Sequence, residues 1–328
     1  MKSSRTRRRI LGAALCVGTL IGSQAAHAQS ALPRHITLVV PQVAGGSNDA
    51  FGRAVAALLP KVIASDVMVD NRPGANGNIG SAYVATSAPK DGSVWLVTVN
   101  STQTINPILY SKPGFDPIND FEPVAGIATV KHLLLVSNDS KTGSMADLLA
   151  QARAQPGQYT YGSSGNGTFS HLLMAFMSRS QNVQLTHVPY KGVAPALTDL
   201  IGGRINYLIS TTPAALPYIK SGHVRALAVT SLARSDTMPE VPTANETVPG
   251  MVGELDVALY APKGTPDTAL KAMAGAMSSV LASPEMQAFA AAQGATPLRV
   301  TPEELLARTR ADMARWTPII KEAGMTID

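Results

Sequence analysis

Short runs of β-branched and apolar residues alternate along the chain with stretches whose apolar positions recur every three or four residues. That alternation predicts strands joined by helices, an α/β fold with largely parallel sheets. Strands are expected at 35–40 (HITLVV), 66–70 (DVMVD), 94–99 (VWLVTV), 132–137 (HLLLVS), 184–188 (QLTHV), 205–210 (INYLIS) and 224–230 (VRALAVT). Between the first two, Phe51, Ala54, Val55, Leu58 and Leu59 share a helical face, and Pro60 should end or kink that helix. Ser144, three residues before Asp147, opens another helix. The clearest start is near the C-terminus, where Thr301 serves as N-cap, Pro302 suits the first helical position and Glu304 completes a capping box. Leu306, Thr309, Met313, Trp316 and Ile320 then follow one face, with Trp316 expected in the core.

The first 28 residues break this pattern. A basic stretch (MKSSRTRRR), an apolar run (ILGAALCVGTLIG) and AHA at 26–28 have the layout of a secretory signal peptide cleaved after Ala28. The apolar run is shorter than the ~20 residues of a membrane span. TRRRIL at 6–11 also resembles a twin-arginine signal, so the export route stays open. The leader changes the charge picture. The chain has 27 basic and 22 acidic side chains, and subtracting Lys2, Arg5, Arg7, Arg8 and Arg9 leaves 22 of each. A mature chain with no net charge gives no reason to expect a nucleic-acid partner. Cys16 lies in the leader, so the mature chain has no thiol for disulfides, thiolate catalysis or metal binding.

About 300 mature residues suffice for two domains. FEPVAGIATV (121–130) and PTANETVPGMVG (242–253) read as connectors flanking a middle block. They suggest one domain inserted into another, with two crossings, a hinge and a cleft. The expected division is 29–129 with 254–328 as lobe 1 and 130–253 as lobe 2.

Four glycine-bearing loops lead from strands into helices: AGGSND (44–49), NRPGANGN (71–78), GSSGNGTFSH (162–171) and HVPYKG (187–192). Glycine removes the Cβ that would keep a ligand from the backbone, and a helix start offers unpaired N–H groups and a positive dipole end. Two loops fall in the outer segments and two in the middle block, so both lobes would present donors to one cleft, although a single Gly-Gly loop is more often a tight turn. No phosphate loop exists, and GNGTFS (165–170) has Ser170 in place of the third glycine of a dinucleotide fingerprint. A carboxylate suits such donors better. With about 1.5–3 kcal/mol for each hydrogen bond to a charged group, micromolar affinity is within reach. No cofactor and no metal are expected. There is no G-x-S-x-G elbow and no H-E-x-x-H, and His35, His132, His171, His187 and His223 are widely spaced. Asp49 can cap the first helix, Lys191 could be a cleft cation although a solvated lysine is the commoner case, and Arg53 and Arg72 read as structural partners.

Taken together, these motifs resemble the receptors of tripartite tricarboxylate transporters, the Bug type of extracytoplasmic solute-binding protein. The resemblance rests on the Gly45-Gly46-x-x-Asp49-x-x-x-Arg53 pattern, NRPGANGNIG (71–80), DGS (91–93), NPILY (106–110) and DFEPV (120–124). It continues through SSGNGTFSHL (163–172), HVPYKGVAPALTDLIGG (187–203), ALAVTSLAR (226–234), VPTANE (241–246) and APKGTP (261–266). It implies a type II two-lobed periplasmic-binding-protein fold with two crossovers and a cleft between the lobes, no enzymatic activity, and capture of a dicarboxylate, tricarboxylate or aromatic carboxylate. The partners it implies are the membrane subunits of a tripartite transporter. The family's grip carries over to Gly45, Gly46, Ser47 and Asp49, to Gly74 and Ala75, and to Ser164, Gly165 and Thr168. Asn48, Ser101, His171, Tyr190 and Thr211 join the candidate set from their loop positions. The chain departs from the family pattern at 42–44 (QVA) and at Asn76, where glycine is usual. The protein is expected to be a periplasmic monomer. Two other readings use the same cleft: an exported hydrolase with His171 or Asp49 as base, and a ligand sensor partnered by a sensor kinase.

Overall fold

The structure, a computed structural model, describes residues 31–235, 237–322 and 325–327. The leader expected over 1–28 lies outside these residues. Among the described residues ten strands form the framework: β1 (His35–Val40), β2 (Asp66–Asn71), β3 (Val94–Val99), β4 (Phe121–Ser137), β5 (Thr160–Ser163), β6 (Thr186–Pro189), β7 (Tyr207–Thr211), β8 (Val224–Val229), β9 (Glu254–Pro262) and β10 (Ala295–Pro297). They join in the order β2-β1-β3-β9-β4-β7-β5-β6, with β8 and β10 also pairing with β4. At one end β1 lies parallel to β2 and β3, and at the other β5 lies parallel to β6 and β7. The centre is antiparallel, because β4 and β9 carry the chain between the two halves in opposite directions. Helices cover these strands, giving the two-lobed α/β architecture expected from the sequence, with a mixed sheet rather than a largely parallel one.

β4 corrects the reading of 121–130 as a connector. Its first part pairs with β9 and β10, and its second part, from His132, with β7 and β8. The proline and glycine that suggest a loop sit where the pairing register shifts, between Pro123 and Ala125 and between Gly126 and Ala128. Bulges tolerate both residue types inside a strand. Gly126 is also required sterically, since a Cβ there would lie 2.5 Å from the Leu298 carbonyl oxygen. The segment 242–253 remains a connector, interrupted by the short helix Ala244–Thr247, whose N-cap Thr243 forms a capping box with Glu246.

The helix signals hold. The helix Ser47–Leu58 gives way to a 3₁₀ turn at Leu59–Lys61, and the Ser144 hydroxyl caps Met145–Ala154 by accepting from the Asp147 amide. At the last helix, Pro302–Glu322, the Thr301 amide donates to the Glu304 carboxylate and the Glu304 amide to the Thr301 hydroxyl. Its buried face is Leu305, Thr309, Trp316 and Ile320, with Leu306 and Met313 only half-buried. Leu305 packs with Phe121 and Tyr260 of the first half. Trp316 and Ile320 pack with Leu134, Phe169 and Leu173 of the second, and the Trp316 ring meets Phe169 edge-on at 5.7 Å. This helix therefore ties both cores together. Among the described residues no helix is long and apolar enough to cross a membrane.

Candidate ligand-binding site

All four glycine loops leave the carboxyl ends of strands β1, β2, β5 and β6, and all four contribute to one cavity of about 630 Å³. The position follows the rule for open α/β sheets, in which ligands sit beyond the strand ends. In the first loop Gly45 adopts φ +87°, a conformation glycine reaches without strain. Its N–H donates to the Asp49 carboxylate at 2.9 Å, which also accepts from Arg53 Nε at 2.9 Å and Asn71 Nδ2 at 2.8 Å. Burial pushes the Asp49 carboxyl up, but the hydrogen bonds from Arg53, Gly45 and Asn71 outweigh it and hold the pKa below the ordinary value. Asp49 is thus a staple behind the loop. The Ser47 and Asn48 amides at the helix start have no acceptor among the described residues, and both residues line the cavity.

In the second loop, Ala75 and Asn76 have φ of 44° and 53°, between Gly74 at 132° and Gly77 at 97°. An alanine held in the left-handed region costs about 1–2 kcal/mol. The Gly77 amide donates to the Gly74 carbonyl at 2.9 Å and closes a left-handed turn around Ala75 and Asn76. Asn76, the departure from the family's glycine, ties the two halves together: its Nδ2 donates to Asn106 Oδ1 at 2.8 Å and to the Gly167 carbonyl at 3.3 Å.

The third loop is organised by hydroxyls. The Ser164 amide donates to Ser170 Oγ at 3.0 Å, Thr168 Oγ1 donates to the Gly165 carbonyl at 2.7 Å, and Thr168 and Ser170 hydroxyls lie 2.8 Å apart. The amides of Phe169 and Ser170, which open the helix Phe169–Ser180, have no acceptor among the described residues. Behind the loop, His171 stacks on His187 at 4.0 Å, His187 stacks on Tyr161 at 4.8 Å, and His171 Nδ1 accepts the Gly167 amide. Desolvation lowers both imidazole pKa values, that of His187 to about 4 with the His171 charge as a second cause. In the fourth loop Lys191, Gly192 and Val193 line the cavity, and Lys191 has no ion-pair partner among the described residues. Across the cavity, the Ser47 hydroxyl donates to Thr211 Oγ1 at 3.2 Å.

Of the residues expected from the sequence, Gly46, Ser47, Asn48, Gly74, Ala75, Ser101, Ser164, Thr168 and Thr211 line the cavity. Gly45, Asp49, Gly165, His171 and Tyr190 are not on the lining. The Gly45 and Gly165 amides are taken by Asp49 and by Ser163 Oγ, and the Tyr190 hydroxyl donates to Asp199 at 2.8 Å. Sequence reasoning missed the lining residues that come from strands, Val99, His132, Ile209, Ser210 and Leu255, together with Gln42, Val43, Phe169 and Ser170. Lys191, offered by the sequence as a cleft cation or a solvated lysine, is exposed and also on the lining, where it is the one formal charge among the described residues. The fact that Phe169 and Ser170 open a helix was available as a signal, and the strand residues carried none.

The chemistry this arrangement offers is anion binding. Helix-start amides, hydroxyls and one ammonium group face a common space, and no carboxylate of the described residues lines it. Among the described residues no group of three or more metal-ligating side chains occurs. The Ser163 hydroxyl lies 2.7 Å from His187 Nε2, a serine–histidine pair, but Ser163 is fully buried and neither residue lines the cavity.

Comparison with known proteins agrees with this geometry. The sequence profile described as "Tripartite tricarboxylate transporter family receptor" matches residues 51–325. A relative from Pseudomonas sp. (strain P51), described as the UPF0065 protein in the tcbD-tcbE intergenic region, is 34% identical over 319 residues, covering 96% of this chain and 94% of the relative. Among solved structures, R. palustris Rpa4515 with adipate superimposes with a TM-score of 0.83 at 35% identity, covering 89% of this chain and 98% of the other. The periplasmic binding protein BugD does so with a TM-score of 0.81 at 31% identity, covering 89% and 98%. The chain belongs to the family of tripartite tricarboxylate transporter receptors, which are solute-binding proteins.

Proposed function

We propose that this protein captures a small carboxylate in the periplasm and presents it to the membrane subunits of a tripartite transporter. The observation that carries this reading is the convergence of unpaired helix-start amides from both halves on one cavity whose single formal charge among the described residues is Lys191. The strained left-handed backbone at Ala75 supports it, because such conformations cluster where a ligand needs them. The adipate-bound relative supports the ligand class. On this reading 29–129 with 254–328 form one lobe, 130–253 form the other, and the leader is removed after Ala28. The protein acts as a monomer without cofactor and without turnover, since His171 and Asp49, the candidate bases, are engaged away from the lining. Thermal shift of ligand-free protein against a panel of aliphatic and aromatic carboxylates tests the proposal. A rise in Tm with at least one carboxylate, and none with the matching amide, is the expected result; a flat panel overturns it.

A further inference from the structure

β4 and the segment leading into β9 carry the chain between the halves, and on both the bonding partners change at one level of the sheet. β4 pairs with β9 as far as Lys131, and from His132 it pairs with β7 and β8. Lys131 lies opposite Glu254, the first residue of β9. On the other crossing the change falls between Gly253 and Glu254. The Gly253 amide donates to the Thr230 carbonyl, and its carbonyl accepts from Thr230 Oγ1 at 2.6 Å. A Cβ at Gly253 would lie 3.1 Å from Leu173, so this residue is seated in the second half. From Glu254 onward the partners belong to the first half, but β9 lacks a strand on one side. β3 ends at Val99, opposite Val257, and turns into the short helix Asn100–Thr104. The Glu254 carbonyl and Asp256 amide point the same way from the extended chain, toward the place β3 has left. The Asn100 side chain fills it. Nδ2 donates to the Glu254 carbonyl at 3.0 Å, and Oδ1 accepts the Asp256 amide at 3.1 Å. A carboxamide carries a donor and an acceptor as a peptide group does, so it extends the β3 ladder by one step. Oδ1 also accepts the Ser101 amide at 3.0 Å. The clamp therefore brackets Leu255 and holds Ser101, and both line the cavity.

We propose that Asn100 is the positioning residue of the hinge: its carboxamide holds Glu254–Asp256 in the first half and confines the turning points to the Lys131–His132 and Gly253–Glu254 junctions. Hinges are a few element-terminal residues that absorb the backbone rotation, and both junctions are of that kind. The inference rests on the capture reading above, in which the halves close on a solute, and adds the residue that fixes their axis. Thr129 Oγ1 also bonds this strand, at 2.6 Å from Asp256 Oδ1, but it acts on a side chain from the β4 side and does not reach the lining.

Pulsed electron-spin distance measurements test the assignment, with labels at Ala57→Cys and Ala150→Cys, exposed positions on helices of the two halves. The chain after the leader has no other cysteine. In the ligand-free protein Asn100→Ala should raise the population of more open conformers about fivefold, the ratio of one hydrogen bond, and widen the distance distribution. Asn100→Asp, which keeps the acceptor and loses the donor to Glu254, should widen it too. Thr129→Val should leave it at the wild-type width. Distributions unchanged in both Asn100 variants, or widened equally in Thr129→Val, overturn the proposal. Amide exchange in the wild type decides the matter even if no variant folds. The Asp256 amide should be protected about as well as that of Ala258, which lies within the β3 ladder, and exchange at the rate of an open loop overturns the proposal. Adipate or benzoate should shorten the wild-type distance. If neither does, the capture reading fails, while the ligand-free comparison still decides the role of Asn100.

Discussion

Replacing Asp49 by asparagine isolates the staple that shapes the first loop. The wild-type carboxylate accepts three hydrogen bonds, from Gly45 N–H and Arg53 Nε on one oxygen and from Asn71 Nδ2 on the other. The substitution preserves shape but places an NH₂ against donors. If its oxygen faces Gly45 and Arg53, its NH₂ meets the Asn71 NH₂. Asn71 cannot turn over in response, because its Oδ1 accepts from Arg53 at 2.7 Å and its Nδ2 also donates to the Gln42 carbonyl at 3.2 Å. The other orientation sets the NH₂ against the Gly45 amide and the guanidinium. One charge-assisted bond is lost outright and the remaining two are weakened, which amounts to about 2–3 kcal/mol. The pH dependence has a definite sign. The folded pKa of Asp49 is depressed, so its contribution is present above the unfolded value near 3.8 and is lost as pH falls through the lower folded value. Urea unfolding of wild type and Asp49→Asn should therefore show a gap of about 2–3 kcal/mol at pH 7 that narrows as pH falls below the unfolded value near 3.8. Because the Ser47 and Asn48 amides are aimed by the stapled loop, carboxylate affinity at pH 7 should fall as well. A gap under about 0.5 kcal/mol at pH 7, or one that persists unchanged in acid, would refute the account.

Trp316→Ala should cost about 3–5 kcal/mol, since it empties a buried site that joins both cores, and a calorimetric scan should split into two transitions. Acid should destabilise the fold as pH falls from about 6.5 toward 4, because burial lowers the pKa of both His132 and His187 to about 4. His187→Phe should flatten part of that profile in denaturation midpoints measured across the range. Lys191→Met should weaken carboxylate binding several-fold at low salt and reduce its salt dependence, as seen by titration at two ionic strengths. Gly46→Ala should fold normally, as its φ is −79° and the nearest protein atom to the added Cβ is 3.7 Å away, yet it should lower affinity because that methyl enters the ligand's space.

What the sequence made legible was local. A strand followed by glycines and a helix start is encoded within about ten residues, so the four loops, the capping box at Thr301 and the amphipathic helix after the first loop could be read directly. β4 was harder to read because Pro123 and Gly126 ordinarily punctuate a chain, and only the register with β9 turns them into bulges. β5, β9 and β10 were not anticipated at all. β9 (ELDVALYAP) is buried on both faces from Asp256 onward, which removes the alternation by which a half-exposed strand is recognised. The strand-borne part of the lining was invisible for a related reason. Val99, His132, Ile209 and Leu255 come from four strands separated by up to about 150 residues, and nothing local distinguishes them from core positions. Asp49, His171 and Tyr190 show the converse: their chemistry suits a binding loop, but folding spends it on Arg53, Gly167 and Asp199 away from the lining.

The two halves meet through few direct polar links at the cavity. Ser47 reaches Thr211, and Asn76 reaches the Gly167 carbonyl. Neutral bonds of this kind contribute about 1 kcal/mol each, so together they bias the halves toward one another by only about 2 kcal/mol. A carboxylate held by amides of both halves adds charge-assisted bonds of roughly twice that strength apiece. On the proposed reading the solute outweighs the direct links in a closing equilibrium, since a ligand shifts such an equilibrium only by its differential affinity for the two states. This explains why the donors are divided between the halves. Were they gathered on one half, the solute would bind equally well whether the cleft was open or shut, and occupancy would leave no mark that a membrane partner could recognise.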